Sequence, residues 1–224
     1  MRTPDQVASQ GSNGPPGRSR LLIATRSEHK LRELRELLGL KARLIDLEDA
    51  GILVEAVEDG ETFEANASKK ARFFAALSGL PTLADDSGLE VDALGGGPGV
   101  RTRRYAGENA TDEQNNVKLL GALDGLEASR RGARYRCVLA LALPELRGPR
   151  GGIPVKLAHG TLEGRIAGAP KGAGGFGYDP IFEPSVERPG GRTLGEWTAE
   201  AKNRISHRGR AARRMHRVLA DLGF

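Results

Sequence analysis

The chain of 224 residues predicts a single α/β domain. Short apolar runs of strand character alternate with segments whose apolar residues recur at helical spacing, and no internal repeat divides the sequence. "LLIAT" (21–25) predicts a buried strand. Leu31, Leu34, Leu37 and Leu38 then repeat at helical spacing up to Gly39, a natural stop. "ARLIDL" predicts a second strand, and a helix opens near Thr62 with the stripe Phe63, Ala67, Ala71, Phe74 and Leu77. Asn66 and Lys70 lie four apart on a different stripe of that helix. A short strand "LPTLA" is expected to finish at "DDSG" (85–88), followed by the glycine-rich basic loop 94–108. Thr111 and Gln114 stand at capping-box spacing before a helix bearing Leu119, Leu120 and Leu123. "YRCVLALAL" and "IPVKLAHGTLEGRI" predict successive strands, a possible hairpin, before the glycine loop "PKGAGGFGYDPIF" (170–182), whose "PIF" predicts a further strand. Two helices close the chain, the last with Ala211, Met215, Leu219 and Leu222 on one face.

Residues 1–20 are rich in Gly, Pro and Ser, with too little apolar surface to offset the entropy of ordering, and predict a disordered extension to a domain over 21–224. The formal charge of +5 admits an anionic partner but does not choose among nucleic acid, an acidic membrane face and a phosphorylated small molecule. The single Cys137 cannot form an intramolecular disulfide and sits in an apolar run, which fits a core thiol in the reducing cytoplasm. No apolar stretch approaches the ~20 residues of a membrane span, and residues 1–20 lack a secretory core, so no membrane partner is expected.

Four segments carry candidate chemistry. "TRSEHK" (25–30) offers backbone N–H groups at a helix start, two hydroxyls and Lys30, all favourable to phosphate. Read alone, it fits a capped turn with a solvated lysine better. "ADDSG" sets two acids side by side, which repel unless a cation or donors compensate. It suits a hard metal with phosphate, or equally an acidic turn. "GGFGYDP" places Phe176 and Tyr178 where a base could stack, beside Asp179, unless the rings enter the core. "KNRISHRG" sets Lys202, His207 and Arg208 at a helix junction. A lone His beside an Arg is ordinarily a surface residue, and without a second His or Cys at ligand spacing zinc is rejected.

The ordered segments "ATRSEHKLREL", "ETFEANASKKA", "LADDSGLEVDALGGGPGV", "RYAGE", "GGFGYDPIF" and "EAKNRISHRGRA" closely resemble the inosine triphosphate pyrophosphatase family, from residue 21 to the C-terminus. The resemblance implies an elongated, two-lobed α/β fold with a central mixed sheet flanked by helices and a cleft between the lobes, commonly a homodimer. The implied reaction is hydrolysis of ITP, dITP and XTP to the monophosphate and pyrophosphate with Mg²⁺. By the same resemblance the turn Thr25, Arg26, Ser27, Glu28, His29 and Lys30 binds triphosphate, and Lys70 also reaches phosphate. Asp86 is general base and metal ligand, Glu58 a second ligand, and Ser87 contacts substrate. Phe176, Gly177, Tyr178, Asp179, Lys202, His207 and Arg208 match the nucleoside pocket, with donors from His207 and Arg208 suiting a purine 6-keto oxygen.

The chain departs from the family pattern in several places. Ser27 stands for the usual Asn, His29 for a glycine, Ala65 for a Glu and Arg103 for a small residue, and "GEW" (195–197) replaces "AEL". None removes an implied metal or base residue. A nucleic-acid binder using the basic face is the rival from another class, and the acidic "EDGE" and "DDS" segments count against it.

Overall fold

The computed structural model describes residues 20–148 and 151–224. The extension expected over 1–20 lies outside the described residues except for Arg20, which begins the first strand. Six strands form one mixed sheet in the order β2-β1-β3-β4-β5-β6: β1 (Arg20–Ala24), β2 (Arg43–Ile45), β3 (Thr82–Val91), β4 (Gly132–Ala142), β5 (Val155–Ile166) and β6 (Phe182–Pro184). β2, β1 and β3 run parallel, as crossover helices require, and β3 to β6 are antiparallel, with β4 and β5 in register as the expected pair (Cys137 opposite Gly160).

The helices are α1 (Glu28–Leu38), α2 (Phe63–Ser78), α3 (Asp112–Ala122), α4 (Ala199–Ile205) and α5 (His207–Asp221). Their ends follow from local chemistry. Ser27, Thr62, Thr111, Thr198 and Ser206 each cap an N-terminus through a side-chain oxygen, with a full capping box at Thr111. Gly39 closes α1 at φ 52°, a left-handed conformation that costs a residue with a Cβ.

Strand alternation divides the core. On β1, Leu22 and Ala24 face α2 while Leu21 and Ile23 face α1 and α5. A third cluster gathers the far ends of β3 and β4, with Leu119 and Leu123, under the loop carrying Tyr178. Gly160 admits the start of α5 against β5, since a Cβ there would lie 2.0 Å from the His207 carbonyl oxygen. Among the described residues no helix is long and apolar enough to cross a membrane.

Several expectations need correction. β3 does not finish at 85–88 but continues to Val91. What ends there is β1, which pairs only as far as Ala24 opposite Ala84, so both acids are strand residues just past the parallel neighbour's last contact. Leu77 is 54% exposed, and Ala75, one residue off the expected stripe, is buried instead. "PIF" begins as a 3₁₀ turn (Asp179–Ile181), so the strand starts at Phe182, and loop 94–108 includes a second such turn over Gly99–Arg104. His207 and Arg208 are buried rather than on the surface, because Ser206 starts α5 directly against the sheet.

Candidate active site

The β1–α1 turn is tied by its own hydroxyls. The Ser27 N–H donates to Thr25 Oγ1 (3.2 Å), and the Lys30 N–H reaches Ser27 Oγ at a long 3.4 Å. Lys30 then extends its ammonium to Asp85 Oδ2 at 3.0 Å. Arg26 leaves the turn to donate to the carbonyls of Ile52 (3.0 Å) and Val54 (2.9 Å), which fastens the loop leading to Glu58. Glu28 is exposed in the first turn of α1, while the His29 ring stacks on Phe176 with centroids 5.2 Å apart.

On β3 the adjacent acids meet different neighbours. Asp85 is enclosed, with Lys30 at 3.0 Å and the Arg208 guanidinium at 3.5 Å. Burial alone would raise its pKa, but Lys30, Arg208 and Lys70 outweigh it and hold the carboxyl well below the usual carboxylate range. Asp86 is also buried, yet its Oδ2 has no hydrogen-bond partner. Burial, with Glu58 and Asp85 nearby, outweighs Lys30 and Lys70 and pushes its pKa up to about 6. Ser87 presents Oγ to Arg208 at 3.0 Å.

Lys70, projecting from α2, joins this group to the acidic loop. Its ammonium donates to the Asp85 carbonyl (3.1 Å) and pairs with Glu58 (2.6 Å). Asn66, one turn earlier, holds the same loop by accepting from the Gly60 N–H (2.7 Å) and donating to its carbonyl (3.3 Å). The Asn66 and Lys70 spacing thus places a loop clamp and a cation on one edge of α2.

At the other end, Glu33 organises what the sequence reading left separate. It pairs with Lys202 at 3.2 Å and with Arg208, and although burial opposes this, those two cations lower its pKa. Lys202 continues to Asp179 (2.7 Å), which accepts from the Phe176 N–H (3.0 Å). The ammonium of Lys202 lies 4.5 Å, and the Arg208 guanidinium 5.7 Å, from the centre of the half-buried Phe176 ring. Tyr178 instead enters the core, its hydroxyl donating to the Thr102 carbonyl (2.8 Å). His207 stacks on Tyr135 at 4.6 Å, and burial, with Arg208 and Lys202 nearby, holds its pKa well below the ordinary value. Glu33 was missed because, within α1, it reads as one more solvated charge. Its position one turn after Lys30 was the available signal.

The donor set fits a hard cation. Asp86 carries an unpartnered buried oxygen with Glu58 close by, and Mg²⁺ takes one or two carboxylates and completes its shell with phosphate and water. Among the described residues no three His, Cys, Asp or Glu side chains are grouped to hold a metal. Concavities of about 830 and 670 Å³ lie elsewhere, on the outer side of α2 and beside Arg101 and Tyr105, and include neither Lys30, Asp86 nor Phe176. Charge and unmet hydrogen bonding, rather than enclosed volume, mark the candidate site.

The chain is an α/β protein whose mixed sheet gathers two lysines, three acids and a cation-backed aromatic ring beyond the end of a parallel strand. The chain belongs to the Ham1 family, whose model matches residues 21–218. It is 50% identical over 194 residues to a dITP/XTP pyrophosphatase of Geobacter sulfurreducens, covering 86% of this chain and 92% of the relative. A solved HAM1 protein from Coxiella burnetii is similar with a TM-score of 0.79 and 40% identity, covering 90% of this chain and 98% of that one. A nucleoside-triphosphatase / dITP/XTP pyrophosphatase from Mycobacterium abscessus gives 0.70 and 41%, over 88% and 98%.

Proposed function

We propose that the chain hydrolyses dITP, XTP and ITP to the nucleoside monophosphate and pyrophosphate, with Mg²⁺ held by Glu58 and Asp86, and so clears deaminated purines from the nucleotide pool. The observation that carries this is the buried, unpartnered Asp86 oxygen, with Glu58 close by and Lys30 and Lys70 flanking it. A carboxylate oxygen with no other donor is free to orient a water and take its proton. The triphosphate competes with Asp85 and Glu58 for the two ammonium groups, which offset charge on the attacked phosphorus and on the departing pyrophosphate. When bound, Mg²⁺ neutralises phosphate oxygens and lowers the pKa of water. At the far end the base takes the place of the His29 ring against Phe176. Lys202 and Arg208 beside the ring carry only N–H donors, which favours a 6-keto acceptor over the adenine amino donor.

A homodimer in the cytoplasm completes the reading, and the buried Cys137, its thiol pushed up to about 12 by burial, suits a reducing compartment. The test is pyrophosphate release from ITP, dITP, XTP, GTP and ATP, with Mg²⁺ and with chelator. Clear preference for the first three and loss of turnover in chelator are expected, and equal turnover of ATP would overturn the specificity.

A further inference from the structure

Helix α3 carries no residue of the site described above, yet it grips both glycine-rich loops. Asn115 donates to the Arg103 carbonyl (2.9 Å) and accepts from the Ala106 N–H (2.8 Å), closing the basic loop. On the next position and one turn earlier, Asn116 and Asp112 hold a single residue of the aromatic loop through the peptides on either side of it. Asp112 Oδ2 accepts from the Gly177 N–H at 2.6 Å, and Asn116 Nδ2 donates to the Gly177 carbonyl at 3.1 Å. Residues four apart lie on one helix face, so both contacts come from a rigid element.

Gly177 follows Phe176 directly and has φ +63°, with nothing within 4 Å of where a Cβ would stand. Its left-handed turn is closed by the Asp179 N–H donating to the Phe176 carbonyl (3.3 Å), and the two side chains of α3 brace that turn from outside. The Phe176 N–H, on the other side of the ring, is fixed by Asp179. The ring is thus suspended between a carboxylate tied to Lys202 and a peptide tied to α3.

We infer that Asp112 and Asn116 are positioning residues for nucleobase recognition: they set the orientation of Phe176 by holding Gly177. This rests on the reading of Phe176 as the ring that meets the base. Neither residue touches the phosphate end, so their effect is confined to ligands that have a base.

The experiment compares Asp112→Ala, Asp112→Asn and Asn116→Ala in the full chain, measuring kcat and KM for dITP and the inhibition constant of inorganic tripolyphosphate, which has no base. Both alanine variants are expected to raise KM about three- to tenfold, the size of one loop hydrogen bond, with kcat and tripolyphosphate inhibition unchanged. Asp112→Asn keeps an acceptor and restores the KM. An unchanged KM in both alanine variants, or a parallel weakening of tripolyphosphate, overturns the proposal. Should Asn116→Ala fail to fold, the exposed Asp112 carries the test alone. Phe176→Ala separates the two readings. If it raises KM while the α3 variants do not, only the positioning role fails, and if it too is neutral, the base-stacking reading fails.

Discussion

Asp85 and Asp86 are the same residue type at successive positions of one strand, yet they belong to two differently built regions. The side of β3 that carries Asp85 faces α1 and α5, where Lys30 and Arg208 approach its carboxylate. The side that carries Asp86 faces α2, where Glu58 absorbs much of the charge of Lys70. One acid is therefore firmly ionised and serves as a structural counter-charge. The other retains an unmet oxygen and a pKa near 6. Burial alone does not decide the fate of a carboxylate, because both are buried. The partners supplied by the flanking helices do.

The largest expected effect breaks the Asp86 side. Asp86→Asn should lower kcat by about 10²–10⁴-fold, as for loss of a general base. Stability should move the opposite way, because a carboxylate whose pKa is raised on folding is a destabilising one at neutral pH. Urea unfolding without divalent cations at pH 7 should find the variant more stable by about 1–3 kcal/mol. A variant less stable than the parent would contradict the environment assigned to Asp86.

Breaking the other side should do the reverse. Asp85→Asn leaves Lys30 and Arg208 facing a neutral group in a buried setting and should cost about 3 kcal/mol in the same unfolding measurement. Retention of full stability would show that Glu33 and Ser87 alone satisfy Arg208.

The dependence on pH sharpens the contrast. Asp86 binds a proton more tightly folded than unfolded, so lowering the pH through 6 relieves its penalty. The advantage of Asp86→Asn should shrink to roughly half by pH 5 and nearly vanish by about pH 4. Asp85 has the opposite shift, so its contribution is complete above the unfolded carboxylate value and is lost only below it. The deficit of Asp85→Asn should persist unchanged from pH 7 to 5. Two unfolding series across this range check both signs, and parallel behaviour of the two variants would abolish the distinction.

The smallest effect concerns the turn that supplies Lys30. Ser27 holds its cap through a 3.4 Å contact, and Asn caps as well while adding an amide donor. Ser27→Asn should lower KM for dITP about two- to threefold, and an unchanged KM would show the hydroxyl to be sufficient.

The helices were legible because their signals are local: the leucine spacing of α1 with Gly39, the Thr111 and Gln114 box, and the apolar stripe of α5. The course of β3 was not, since "DDSG" has the composition of a turn and only the ten-residue pairing with β4 keeps it extended. Within the site, single segments were ambiguous and the ordered set of motifs was informative. The roles of Arg26, Tyr178 and Glu33 depend on partners far along the chain, such as Ile52, Thr102 and Arg208, which no local pattern encodes.

Gly160 stands opposite Cys137, which stands opposite Ser87, so three small residues form a row across the sheet beneath the first turn of α5. That turn carries His207 and Arg208, and the row acts as a spacer whose thickness sets how deeply the guanidinium reaches toward Asp85. A methyl at position 160 would already collide with the His207 carbonyl, so α5 and the guanidinium it carries would have to move away from the sheet. The approach of Arg208 to Asp85 thus depends on a glycine two strands away from the acids.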